Sequence, residues 1–133
     1  KAFLLFHQGY YKKADELFTK TTLKNPVQKL LVNSLHLRCL FEMALKTKSY
    51  EEVFTSFTNT FRKQISRSKI LPAERKECYY NQIEVTRILI RSKTKTKKQK
   101  EKLASRVVIL LKEEVIAKEW LKKKVSFVFD VNI

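Results

Sequence analysis

One glycine, Gly9, and two prolines, Pro26 and Pro72, are all the backbone breakers in a chain of 133 residues. Sandwiches and barrels need many tight turns, and nucleotide-binding α/β folds need glycine-rich loops. Neither can be assembled from this supply, whereas long helices need no such residues. Apolar side chains also recur every three or four positions through most of the chain, which is the spacing of one helix face. A hydrophobic share of 44% is enough for a packed core and argues against wholesale disorder.

The breakers and the periodicity together predict seven helical segments. The first ends near residue 8 and is stopped by Gly9; others cover 10–23, 27–46, 49–68, 72–92, 97–114 and 115–125. Over 10–23 the face is Tyr11, Ala14, Leu17, Phe18 and Thr21. The segment 27–46 has one face of Leu30, Leu31, Ser34, Leu35, Arg38, Cys39, Glu42 and Met43, widened by Leu37, Leu40, Phe41, Ala44 and Leu45. A helix apolar on more than one side is sandwiched between neighbours. Ser49 is the expected N-cap of the next helix, whose buried stripe is Val53, Phe54, Phe57, Phe61 and Ile65. Pro72 is expected at a first helical position. In 115–125 the packing residues are Ile116, Trp120 and Leu121. The tail 126–133 alternates Phe127, Phe129 and Val131, which predicts a short strand or extended surface chain.

An internal repeat is visible at an offset of 39 residues, which lays Tyr11 on Tyr50, Ala14 on Val53 and Phe18 on Phe57. Gly9-Tyr10-Tyr11, Ala14, Phe18 and Pro26 stand in the spacing of the second helix of a tetratricopeptide repeat, and the chain resembles that family there. In the second copy Ser49 replaces the turn glycine and Val53 the small alanine. The stretch 71–125 resembles the C-terminal part of uncharacterised bacterial tetratricopeptide-like proteins. The resemblance implies an all-α antiparallel hairpin solenoid with a short capping helix, in which 1–133 is one helical-repeat domain and the C-terminal part of a longer solenoid. It further implies a concave docking face, for which Asn33, His36 and Arg38 are the candidate groove residues.

Little in the chain suggests catalysis. His7 and His36 have no second histidine or carboxylate at i+3 or i+4. The carboxylate pairs Asp15-Glu16, Glu51-Glu52 and Glu113-Glu114 are adjacent, so a helix splays them apart. Cys39 and Cys78 lack a nucleophile signature and read as reduced core thiols of a cytosolic protein, since no signal peptide opens the chain. No enzyme activity, cofactor, metal, small-molecule substrate or membrane span is expected.

The net charge of +16 favours anionic partners. An acidic protein or peptide is the first expectation. Nucleic acid is the alternative, through Arg91, Lys93, Lys95, Lys97, Lys98, Lys100 and Lys102, which face a single Glu101 in their stretch. That stretch holds no aromatic side chain for base stacking.

Overall fold

The computed structural model describes residues 1–130, and within them all regular structure is helical. The chain folds as two compact units, Lys1–Leu71 and a second that begins at Pro72.

The first unit holds α1 (Ala2–His7), α2 (Tyr11–Lys20), α3 (Pro26–Lys46) and α4 (Ser49–Arg67). Gly9 closes α1 with φ +85, a conformation that side-chain-bearing residues adopt at a cost. Tyr10 N–H donates to Leu5 O at 2.9 Å and Gly9 N–H to Phe6 O at 3.0 Å, the paired bonds of a Schellman cap. Pro26 is the first residue of α3, where its missing N–H is harmless. Asn25 Oδ1 accepts from Val27 N at 2.9 Å and Gln28 N at 3.2 Å and caps the helix. Only Thr47 and Lys48 separate α3 from α4, so the two helices run antiparallel.

As the width of its apolar surface predicts, α3 packs between α2 and α4. Leu37, Cys39, Leu40, Phe41 and Ala44 are buried within it, with Ala14 and Phe18 from α2 and Phe54, Phe61 and Ile65 from α4. Three sequence expectations fail here. Leu31 and Val53 lie exposed, Val53 at 47%. The buried series of α4 is Phe54, Thr58, Phe61 and Ile65, which starts one residue later than the 39-residue offset requires; Val53 therefore falls on the solvent side. Ser49 is the first helical residue and not the cap, which is Lys48 with no side-chain bond.

The second unit holds α5 (Ala73–Arg91), a 3₁₀ turn (Ser92–Thr94), α6 (Lys97–Lys112) and α7 (Lys118–Phe129). Pro72 sits at the N-cap of α5, one position before the place expected for it. Tyr79, Gln82, Ile83, Val85, Thr86, Ile88 and Leu89 make α5 the central, buried rod. It packs against α6, which contributes Val107 and Leu111, and against α7, which contributes Leu121 and Val125. Residues 115–117 are not helical. Ile116 N–H donates to Cys78 O at 3.2 Å, and Asn81 Nδ2 donates to Glu114 O at 3.0 Å, pinning the connection to α5. Ala117 then turns the chain with φ 60.

The tail is the clearest correction. Helix α7 continues to Phe129: Leu121 and Val125 are buried and Phe129, four residues on, is half-buried, while Phe127 stands 75% exposed. Val131 lies outside the described residues.

The register of α4 is testable. Phe61→Ala is expected to cost the first unit about 3–5 kcal/mol, and Val53→Ala no more than about 0.5 kcal/mol, in denaturant unfolding followed by circular dichroism. Equal losses from both would contradict the observed faces.

Candidate functional site

The residues proposed from sequence as a docking groove face their own helical neighbours. His36 is buried. Its Nε2 lies 2.6 Å from Asp15 Oδ1 on α2, and its ring stacks on Phe18 at 5.3 Å and tilts against Phe57 at 4.6 Å. Phe18 from α2 and Phe57 from α4, aligned by the internal repeat, thus meet on one imidazole of α3. Asn33 Nδ2 donates to Gln64 Oε1 on α4 at 2.6 Å. Arg38 turns toward α1 and lies 4.9 Å from the centroid of the Phe6 ring. Burial lowers its guanidinium below the usual value, while Glu42 acts in the opposite sense. Together these side chains knit α3 to α1, α2 and α4.

The Asp15–His36 contact is a long-range histidine–carboxylate pair that local spacing could not reveal, since 21 residues separate its members. Cys39, one turn along α3, is buried, and its Sγ donates to Tyr11 O at 2.8 Å. Burial, aided by the negative charge of Asp15, pushes this thiol up from 9.0 to about 12. A nucleophilic cysteine needs the reverse, a depressed pKa with access to solvent. Cys78 is likewise a buried free thiol. Among the described residues no three of His, Cys, Asp and Glu gather where they could share a metal ion, and no helix is long and apolar enough to cross a membrane.

In the second unit the Lys-rich stretch straddles three elements. Arg91 ends α5, with a guanidinium nitrogen 3.9 Å from Glu84 Oε1. Lys93 lies in the 3₁₀ turn, Lys95 caps it, and Lys97, Lys98, Lys100 and Lys102 occupy the start of α6. Lys95, Lys97, Lys98 and Lys102 are exposed, and Lys93 and Lys100 are half-buried. Cations at a helix start oppose the helix dipole. The helix is nevertheless well begun, because Thr96 and Gln99 form a reciprocal capping box.

A concave feature of the first unit lies where the start of α3 meets the end of α4. A groove of about 560 Å³ is lined by Pro26, Lys29, Leu30, Thr60, Lys63, Gln64, Arg67, Ser68, Lys69 and Ile70. Four cations and no carboxylate border it. The Asn33 bond holds Gln64, so Asn33 serves this groove from one step behind its wall. Beyond α4, Ser68 Oγ accepts from Ile70 N at 3.4 Å and Leu71 N at 3.2 Å, which fixes the turn carrying Lys69 and Ile70. No local motif marks these cations, yet the sequence carries a signal for them. No Asp or Glu occurs from residue 17 to 41 or from 53 to 73, and the tight α3–α4 connection lays those stretches side by side.

Compared with protein-family models, curated proteins and solved structures, the chain shows no significant match to any of the three.

The thiol supplies a pH prediction. Because its folded pKa exceeds the unfolded value, its contribution to stability is complete below pH 9.0 and is lost as pH rises toward about 12. Urea midpoints measured from about pH 8 to pH 11 should fall less steeply in Cys39→Ala than in the parent chain. Parallel slopes would contradict the burial of this thiol.

Proposed function

We propose that the chain is a non-catalytic protein-interaction module of tetratricopeptide-like helical hairpins, whose basic groove receives an acidic segment of a partner protein. The observation that carries this reading is the gathering of Lys29, Lys63, Arg67 and Lys69 around one concavity with no carboxylate among its lining residues. Ordinary protein surfaces intersperse the two signs of charge. Here the acids of the hairpin stand at its far end, as Glu42, Glu51 and Glu52. The groove volume falls within the roughly 300–1,000 Å³ of clefts that bury ligands. A cleft lined by one sign of charge also focuses the field and steers an oppositely charged partner to it.

Phosphate binding through Arg91–Lys102 is the second reading, supported by the exposure of Lys95, Lys97, Lys98 and Lys102. It is the weaker one, since these side chains are spread over the end of α5, a 3₁₀ turn and the start of α6, and no aromatic side chain interleaves them.

Fluorescence anisotropy with a labelled Glu- and Asp-rich peptide tests the proposal. Binding to the full chain should weaken at least about tenfold in Lys63→Glu/Arg67→Glu, and should fall with added salt. Lys97→Glu/Lys98→Glu should leave it intact. Binding of generic RNA alone, lost in the Lys97/Lys98 variant, would replace this reading with the second.

A further inference from the structure

The groove is not a purely charged surface. Pro26, Leu30 and Ile70 lie among its four cations. Leu30 is buried, whereas Ile70 is 59% exposed at the rim. A singly exposed isoleucine needs no explanation in general. This one sits on a turn held by two bonds to Ser68 Oγ, at the edge of a concavity, beside three lysines and an arginine. We infer that the groove selects acidic segments that carry an apolar anchor: an aliphatic or aromatic side chain seats against Leu30 and Ile70, and flanking carboxylates reach Lys29, Lys63, Arg67 and Lys69. This inference rests on the acidic-partner reading and narrows it to one chemistry.

Several features separate this occupant from other anions. A lone carboxylate or phosphate needs neither the volume nor the apolar floor. Phosphorylated segments are taken by arginine clusters, whose forked guanidinium matches phosphate in two-point contact. Here three of the four cations are lysines. Nucleic acid without sequence preference is held by a basic track with aromatic stacking platforms, and no aromatic side chain lines the groove. Lysine fits a flexible run of carboxylates, because its point charge on a long stem adapts to many positions. The anchor supplies what such contacts lack, since exposed ion pairs contribute little alone, whereas fully burying one large apolar side chain contributes substantially more.

The test uses the full chain and anisotropy titrations with four labelled probes. They are a Glu/Asp-rich peptide with one central Leu, the same peptide with Ser for that Leu, a phosphoserine peptide of equal charge, and a single-stranded RNA. Loss of the Leu is expected to weaken binding about tenfold. Ile70→Ser should reproduce much of that loss for the Leu peptide and leave the Ser peptide unaffected. Lys63→Glu/Arg67→Glu should weaken both peptides. All three changed positions are exposed, and circular dichroism verifies folding of each variant. Equal affinity for the Leu and Ser peptides, with the charge-reversal effect retained, overturns the anchor while the acidic-partner reading survives. Tighter binding of the phosphoserine peptide or of the RNA also overturns it. No binding of either acidic peptide at low salt removes both readings.

Discussion

Helix α3 has to bury two sides, and most of the first unit follows from that requirement. Its apolar surface is too wide for a single neighbour, so α2 covers one side and α4 the other. Fully burying one large apolar side chain stabilises by about 1.5–3 kcal/mol, and Leu37, Leu40 and Phe41 are all buried on this helix. Polar side chains along α3 then need partners among its neighbours, because an unsatisfied buried polar group costs about 1–3 kcal/mol. His36 meets Asp15, Cys39 meets a carbonyl, and Asn33 meets Gln64. These bonds set the relative heights of α2, α3 and α4 more strictly than non-directional apolar contact could.

The antiparallel pairing has an electrostatic consequence. Hairpin geometry folds the acid-free start of α3 against the acid-free end of α4, and the carboxylates of both helices collect at the opposite end. Each placement agrees with the local helix rules for α4: Glu51 and Glu52 in its first turn and Arg67 in its last complement the dipole. A charge pattern that each helix tolerates on its own thus becomes, once the helices pair, a concentrated field over one groove.

The basic stretch of the second unit shows the opposite relation between charge density and site. It is the densest run of lysines in the sequence, yet it is spread over the end of α5, a 3₁₀ turn and the first turns of α6. The Thr96–Gln99 capping box satisfies the helix start from within, which the lysines there could not do, since an ammonium only donates. Side chains adjacent in sequence diverge on a helix surface, whereas Lys29 and Lys63, 34 residues apart in numbering, border one groove.

The sequence alone was sufficient for the helical class, the break at Gly9, the start of α3 beside Pro26, and the sandwiching of α3. All of these are local matters of backbone freedom and three-to-four-residue periodicity. It was insufficient where alternatives differ by one position or depend on distant partners. Val53 and Phe54 are both apolar, and only the observed packing shows Phe54 turned inward. Phe127 and Phe129 read equally well as alternation or as helix until Leu121 and Val125 are seen buried on the same rod. The Asp15–His36 pair, the inward turn of Arg38 and the groove bordered by Lys29, Lys63, Arg67 and Lys69 belong to tertiary structure alone. Each joins residues from different helices, and the angle at which one helix meets another is set by side-chain interlock that no local spacing encodes.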